Sequence, residues 1–184
     1  MRIFDIVFSV FGIILLLPII ILIYIVLRFE SNSPIYTQVR VGRFHNQFTL
    51  IKFRTMHLST PVKPSHYINS ESLTRFGSFL RKTKLDELPQ FINVFLGDMS
   101  FVGPRPCLPT QIELLNERNK YNIYNYKPGI TGLAQIKGID MSTPKLLAET
   151  ENIMLANLNI FNYFKIILLT IIGYGSGDRV RYSR

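Results

Sequence analysis

The chain has 184 residues, of which 47% are hydrophobic, and its 21 basic and 12 acidic side chains give a formal net charge of +9. This length allows one domain with a core and one membrane element, and it argues against a multidomain assembly. The charges of residues 1–30 cancel, so the excess lies on residues 31–184 and predicts affinity for phosphates, acidic lipid headgroups or nucleic acid. The single cysteine, Cys107, excludes an internal disulfide and has no zinc-ligand spacing with the three histidines, so we expect a packed residue in a reducing compartment.

Residues 6–27, "IVFSVFGIILLLPIIILIYIVL", form an uncharged run long enough to cross a bilayer core of about 30 Å. The run is too long for a typical secretory signal and lacks a small-residue cleavage site, so it predicts a membrane helix. Pro18 removes one backbone hydrogen bond in the middle of the run and predicts a kink. Two topologies stay open, a spanning helix and a re-entrant helix that returns to the cytoplasmic side, as the positive-inside bias favours.

Two alternating segments follow, "SPIYTQVRVG" and "NQFTLIKFRTM", and predict two short strands joined as a hairpin. Lys52 and Arg54 then share one strand face, because side chains alternate along a strand. Residues 57–72 carry two prolines and no periodicity, so they predict a loop that is either plain surface or a lid over a site.

Two helices are predicted next. Residues 71–82, "ESLTRFGSFLRK", have helical apolar spacing and a basic last turn. In the following segment a second helix begins near Asp86 and stops before Gly97, with its apolar positions at i, i+3, i+4 and i+7 on Leu88, Phe91, Ile92 and Phe95. Pro89 fits the first turn of this helix, and Asp86 is expected as its N-cap with Glu87 in the first turn, where backbone amides keep carboxylates ionised.

The remaining chain predicts one more strand and two more helices. "GDMSFVGPRP" indicates a short strand and a sharp turn that holds Arg105 between two prolines, which suits bidentate phosphate recognition. "QIELLNERNKYN" predicts a helix, "YKPGITGLAQIKG" a loop without P-loop spacing, and residues 153–174 a helix at the membrane interface or packed on the domain. The fold class is therefore α+β, mostly α, with a membrane helix at residues 1–30 and a second domain at residues 31–184.

Four ordered motifs, "SPIYTQVRVG", "IKFRTM", "KLDELPQFINVFLGDMSFVGPRP" and "KPGITGLAQIKG", resemble the bacterial sugar transferases called monotopic phosphoglycosyl transferases. The resemblance covers nearly the whole chain. It implies an enzyme on the cytosolic face of the bacterial inner membrane that moves a phosphosugar from a UDP-sugar to polyprenyl (undecaprenyl) phosphate, with Mg²⁺ and release of UMP. That reaction would open a pathway to O-antigen, capsule, exopolysaccharide or glycoprotein. The family's membrane helix is re-entrant and broken at a Ser-Pro pair, where this chain has Leu17 and Pro18.

The resemblance also assigns roles to residues of this chain. It makes Asp86 the nucleophile and Glu87 its partner acid, both able to hold Mg²⁺. Basic positions near the phosphates fall on Lys52, Arg81 and Arg105. Where the family often has an arginine after "AQ" and three further residues, this chain has Ile139, so the resemblance does not name the sugar.

Two other classes of function are compatible with the residues alone. A membrane-tethered binder of anions or nucleic acid would use the net charge without turnover. An ordinary glycosyltransferase would release UDP, although no "DxD" metal motif is present. The resemblance favours phosphosugar transfer, with no nucleic-acid partner, and leaves a homodimer open.

Overall fold

The computed structural model describes residues 1–61 and 70–175 of the chain. These ranges contain seven α-helices, four β-strands and several single 3₁₀ turns. The elements, in chain order, are α1 (Arg2–Ser31), β1 (Ile35–Val41), β2 (Gln47–Phe53), α2 (Arg75–Thr83), α3 (Gln90–Leu96), β3 (Ser100–Val102), α4 (Ile112–Asn119), β4 (Gly129–Thr131), α5 (Leu133–Ile136), α6 (Pro144–Ala156) and α7 (Ile160–Ile171). The predicted class, α+β with mostly helix, is confirmed.

The predicted hairpin is β1 and β2, which pair antiparallel with Tyr36 opposite Lys52. The Lys52 ammonium and the Arg54 guanidinium both lie over the Tyr36 ring, 5.7 Å and 5.4 Å from its centroid. Both cations therefore occupy the strand face that the alternation of side chains predicts. Of the predicted loop or lid at residues 57–72, positions 62–69 lie outside the described residues.

A second pair of strands, β3 and β4, is parallel. The prediction of β3 is confirmed, but the prediction of a plain loop at "YKPGITGLAQIKG" is wrong, because this segment contains β4 and α5. Glycine makes the pairing possible, since a Cβ on Gly129 would lie 2.0 Å from the backbone nitrogen of Gly103. A three-residue strand whose partner lies far away in sequence leaves no local periodicity to detect.

The apolar N-terminal segment forms α1, which stays helical through Pro18. The predicted interruption at this proline is therefore at most a bend within one helix. Within residues 1–61 and 70–175, α1 is the only helix long and apolar enough to cross a membrane. Its buried side chains, Asp5, Ser9, Ile23 and Leu27, lie against the rest of the domain, and most of its apolar surface is exposed.

Helix α3 buries two polar side chains, Gln90 and Asn93, together with Val94. Asn93 is 1% exposed, and its side-chain amide accepts from Ile51 N at 3.0 Å and donates to Thr49 O at 2.8 Å, so it pairs with the backbone of β2. The apolar positions Ile92 and Phe95 are 42% and 47% exposed. The predicted apolar face is real, but part of it faces outward because the amide of Asn93 fills the hydrogen bonds of the strand.

The C-terminal apolar segment is two helices where one was predicted. α6 ends at Ala156 and α7 begins at Ile160, and the side chain of Asn159 caps α7 by accepting from Asn162 N at 2.9 Å. Asparagine is a favoured N-cap, which explains the break. The exposed apolar residues of α7 and the turn after it suit a membrane interface: Ile160, Phe161, Leu168, Ile171 and Ile172.

Candidate active site

The two predicted acids lie in a 3₁₀ turn, Leu85–Glu87, that links α2 to α3. Asp86 is not the N-cap of an α-helix, because α3 begins at Gln90 and Pro89 is its N-cap. Leu88 and Pro89 have right-handed helical dihedrals, so the turn and α3 form one continuous helical segment. The acids therefore still lie in the first turn of a helical segment, and Asp86 is buried, with 4% of its surface exposed.

Lys84 is the residue at which the chain leaves α2 and enters the acidic turn. Its backbone is left-handed, with φ of 59°, and ends α2 by donating its N–H to the carbonyl oxygens of Arg81 and Leu80. Its ammonium donates to Tyr174 O at 2.7 Å. Burial lowers the pKa of Lys84, Glu87 opposes that shift and Arg105 adds to it, so the three charged groups lie near one another.

Glu87 forms an ion pair with Arg105, whose Nη2 donates to Oε1 at 3.0 Å. The two side chains are 13% and 22% exposed, so the pair lies at the edge of the protein interior. The sequence pointed to Arg105 as a phosphate ligand; the structure shows that it also contacts the partner acid.

The backbone of Arg105 forms hydrogen bonds with a buried ion pair, Arg118 on α4 and Glu151 on α6. Arg118 donates from Nε and Nη2 to the two carboxylate oxygens of Glu151, at 2.8 Å and 2.6 Å. The same Nη2 donates to Arg105 O at 2.8 Å, and Arg105 N donates to Glu151 Oε1 at 3.3 Å. Burial raises the pKa of Glu151, and the Arg118 guanidinium opposes that shift. We call these two residues the Arg118–Glu151 clamp.

A narrow cleft, open to solvent at its mouth and with a free volume of only about 10 Å³, brings several of these groups together. Glu87, Arg105 and Lys52 line it, together with two residues that the sequence did not single out as site residues, Arg40 and Gln90. Arg40 donates from Nη1 to Pro106 O at 2.9 Å, which ties β1 to the loop of Arg105. The sequence signal that could have identified Arg40 is its position between two valines of β1, in "VRVG".

Arg81 and Asp86 do not line this cleft, although both are buried nearby on α2 and in the acidic turn. Arg81 Nε donates to Thr55 Oγ1 at 2.8 Å. This contact depends on Gly77, because a Cβ there would lie 2.2 Å from Thr55 O. The glycine lets α2 approach the end of β2 closely, which is what places Arg81 against Thr55.

The acids fit a magnesium ion held partly by a substrate. Among the described residues no group of three or more His, Cys, Asp or Glu could hold a metal alone. Mg²⁺ commonly uses one or two carboxylates and completes its shell with substrate phosphates and water. Asp86 and Glu87 supply that number of carboxylates, and the surrounding cations suit a diphosphate.

Comparison with known proteins decides the family, since the model for the bacterial sugar transferases matches residues 1–176. The chain belongs to this family. EpsL of Bacillus subtilis, an uncharacterized sugar transferase, is 37% identical over 171 residues, covering 92% of this chain and 84% of that protein. The UDP-glucose:undecaprenyl-phosphate glucose-1-phosphate transferase of Klebsiella pneumoniae is 37% identical over 187 residues. A UDP-galactose-lipid carrier transferase of Erwinia amylovora is 36% identical over 188 residues. This sugar transferase spans 39% of the length of each of the latter two.

Cys107 and Ile139 belong to the same apolar region of this sugar transferase. Cys107 is fully buried and its Sγ lies 3.4 Å from Tyr124 Oη, as expected for a packed residue. Ile139 is partly buried and packs against the apolar cluster that contains Cys107, Leu114 and Leu147. Ile139 therefore contributes apolar contacts to the core of the domain.

Proposed function

We propose that this sugar transferase moves a phosphosugar from a UDP-sugar to polyprenyl phosphate, and that Asp86 carries the phosphosugar between the two steps. The supporting observation is the acidic turn: a buried Asp86 lies beside Glu87, which is paired with Arg105 at the edge of a cleft lined by Lys52 and Arg40. The Klebsiella relative, a UDP-glucose:undecaprenyl-phosphate glucose-1-phosphate transferase, supports the substrate classes.

In the first step, a carboxylate oxygen of Asp86 attacks the phosphorus that carries the sugar. The bond from this phosphorus to the bridging oxygen breaks, UMP leaves with that oxygen, and an acyl phosphate forms on Asp86. In the second step, a phosphate oxygen of the polyprenyl phosphate attacks the same phosphorus. The acyl phosphate bond breaks, which regenerates the Asp86 carboxylate and releases a polyprenyl diphosphate sugar.

Charge repulsion between a carboxylate and a diphosphate opposes the first step. Lys52 and Arg105, which line the cleft with Glu87, and Arg81, which is buried on α2, would offset it by holding phosphate oxygens. Bound Mg²⁺ would neutralise further charge on the diphosphate. Arg105 is pre-positioned for this role because the Arg118–Glu151 clamp fixes its backbone.

Glu87 has a different task from Asp86, because adjacent residues of a helical turn point about 100° apart. One of its oxygens already accepts from Arg105. We propose that Glu87 either holds Mg²⁺ together with Asp86 or accepts a proton from the incoming polyprenyl phosphate. The magnesium titration described in the Discussion separates these two roles.

Isotope exchange tests the covalent step. Enzyme in detergent is incubated with UDP-sugar and labelled UMP, with the lipid acceptor left out. We expect label to enter the UDP-sugar, because reversal of the first step joins UMP to the phosphosugar on Asp86. An enzyme that is active with the acceptor but shows no exchange without it would refute the covalent step.

The nucleotide product tests the reaction class. Incubation with each of several UDP-sugars and undecaprenyl phosphate should release UMP for the true donor. Release of UDP would instead indicate an ordinary glycosyltransferase, and no release with any donor would favour a non-catalytic binder. The UDP-sugar that releases UMP in this screen also identifies the transferred sugar, which the resemblance does not name.

We also propose that α1 is re-entrant and that the catalytic domain lies on the cytosolic face of the inner membrane. Both ends of α1 contact the same domain. Arg2 donates to the carbonyl oxygens of Val94 and Phe95 at the end of α3, and Glu30 accepts from Thr74 Oγ1 at 3.0 Å at the start of α2. A spanning helix would put a bilayer core of about 30 Å between its ends, which these contacts oppose.

Cysteine labelling tests the topology. Ile3 and Phe29 are 76% and 88% exposed, so a cysteine at either position is reachable, whereas the native Cys107 is buried. Ile3→Cys and Phe29→Cys should both react with an impermeant maleimide in inverted membrane vesicles and both be protected in spheroplasts. Labelling of one position from each side would demonstrate a spanning helix.

A further inference from the structure

A second cavity, of about 450 Å³, lies at the N-terminal end of α1. Its lining includes three cationic side chains, Arg2, Arg43 and Lys127, and an apolar wall of Leu155 and Leu158. None of its lining residues lines the catalytic cleft. It borders the C-terminal end of α3, whereas the acidic turn precedes the N-terminal end, so the two sites are separate. We call it the N-terminal cavity.

Two of the three cations of the N-terminal cavity, Arg2 and Arg43, are held in place by backbone contacts. Arg2 donates to Phe95 O at 2.7 Å, and Arg43 Nε donates to Asn125 O at 2.8 Å. The Arg2 guanidinium and the Lys127 ammonium converge on Gly97, where a Cβ would lie 3.1 Å from Arg2 Nη2 and 3.4 Å from Lys127 Nζ. Two of the positive charges are therefore close neighbours in the same cavity.

Carboxylates balance this charge only in part. Asp5, which lines the cavity, accepts from Ser100 Oγ at 2.8 Å, Phe101 N at 3.1 Å and Tyr163 Oη at 2.7 Å. Within residues 1–61 and 70–175, none of the three cations lies within 4.0 Å of a carboxylate. Three positive groups thus share the cavity with one carboxylate whose hydrogen bonds go to other partners, and that excess favours a bound anion.

The pKa of Lys127 is consistent with this balance. Burial lowers it, the nearby Arg2 lowers it further, and Asp5 and Asp98 act in the opposite direction without restoring it. An anion bound beside the ammonium would favour its charged form.

The position of the cavity identifies the kind of anion. The uncharged run of α1 starts at residue 6, directly after the residues that line the cavity, so a bilayer that holds α1 brings its headgroup layer to this point. Basic pockets beside membrane helices are typical binding sites for lipid headgroups. The apolar wall of Leu155 and Leu158 suits the glycerol and the start of an acyl chain, while the cations suit the phosphate.

We propose that the N-terminal cavity binds the phosphate headgroup of an anionic membrane lipid, with Lys127 and Arg43 as its ligands and Arg2 as a further positive charge. The proposal requires α1 to lie in the membrane and does not depend on the transfer reaction. A bound lipid would fix the start of α1 against α3 and set the depth of the catalytic domain at the membrane surface.

Thermal unfolding of the full chain in a neutral detergent tests the site. The protein is titrated separately with short-chain phosphatidylglycerol, short-chain phosphatidylcholine and inorganic phosphate. We expect phosphatidylglycerol to raise Tm and phosphatidylcholine to leave it unchanged. Inorganic phosphate should act only at concentrations at least about fivefold higher. An equal response to phosphatidylglycerol and inorganic phosphate would refute a lipid as the ligand.

Matched variants locate the effect. Lys127→Gln and Arg43→Gln, both outside the protein core, should each raise the half-saturating phosphatidylglycerol concentration about fivefold, because one cation near a headgroup layer contributes about that factor. Lys145→Gln removes an equal charge from an exposed site on α6 and should have no effect. An equal effect of all three variants would refute a specific site. Asp86→Asn should leave the titration unchanged, which separates this site from the catalytic one.

Discussion

Arg105 Nη2 donates to Glu87 Oε1 at 3.0 Å, and this ion pair joins the loop after β3 to the acidic turn before α3. The same arginine has its backbone held by both members of the Arg118–Glu151 clamp. A buried ion pair on α4 and α6 is thereby linked to the partner acid of the proposed nucleophile. Hydrogen bonds therefore connect four elements that lie far apart in sequence: the acidic turn, the loop after β3, α4 and α6.

Asp86→Asn should reduce turnover at least about a thousandfold and abolish the exchange of labelled UMP, because the amide cannot form the acyl phosphate. Binding of UDP-sugar, measured by calorimetry, should persist or improve, since repulsion of the diphosphate is removed. Asp98→Asn, which lies beyond the other end of α3 and outside the cleft, is the matched control and should keep near-normal turnover. Residual exchange in Asp86→Asn would assign the nucleophile to another group.

Magnesium should be required, so EDTA should abolish turnover and added Mg²⁺ should restore it. If Glu87 holds the ion, Glu87→Gln should raise the Mg²⁺ concentration for half-maximal activity about tenfold or more, a usual effect of disturbing a metal site. If Glu87 instead accepts a proton, the Mg²⁺ dependence should stay normal while turnover falls. Glu113→Gln, at an exposed position on α4, should change neither quantity.

Glu151→Gln should lower the free energy of unfolding by about 3–5 kcal/mol, because it leaves the Arg118 charge buried without its partner. Turnover should also fall, since the backbone of Arg105 loses a fixed contact. Glu149→Gln on the same helix is the control for denaturant unfolding.

Replacing both members of the clamp separates stability from catalysis. Arg118→Leu combined with Glu151→Leu removes both buried charges, so most of the lost stability should return. Turnover should stay reduced, because the backbone of Arg105 then loses its contacts with both members of the clamp. A stable double variant with normal turnover would show that the clamp has no positioning role.

Gly77→Ala should destabilise the protein by about 1–3 kcal/mol, because the added methyl group would lie 2.2 Å from Thr55 O and must push α2 away from the end of β2. Arg81 moves with α2, so the Km for UDP-sugar should rise as well. Ser78→Ala, on the next position of the same helix, controls for the change in helix propensity. Normal stability in Gly77→Ala would contradict the close approach of the two segments.

Elements with a strong local pattern could be predicted from the sequence. The hairpin, α2, α3 and β3 were found because period-two alternation, helical spacing and glycine or proline boundaries are properties of neighbouring residues. β4 was missed because its three residues lie among the proline and glycine turn signals of "YKPGITG". The break between α6 and α7 was missed because Asn157 and Asn159 resemble polar interruptions of an interfacial helix until the cap of Asn159 is seen.

The candidate site divides in the same way. Asp86 and Glu87 were predicted as site residues from their place in an ordered motif, and three cations were predicted with them. Arg40, Gln90 and the Arg118–Glu151 clamp were not, since their importance lies in contacts between β1, α3, α4, α6 and the loop of Arg105. Arg118 lay on a predicted helix, where a charged residue is by default solvated, and Glu151 lay ahead of the next predicted helix. Only the packing of α4 on α6 buries these two residues.

The sequence alone determined the long apolar helix, the basic domain, the acid pair and the family resemblance, because each follows from composition or from residues close together in the chain. The tertiary structure decided that Asn93 of α3 pairs with the backbone of β2, that Arg105 contacts Glu87, and that both ends of α1 meet one domain. These relationships depend on how elements pack. Local pattern sets which elements form, but only packing decides which buried polar groups find partners.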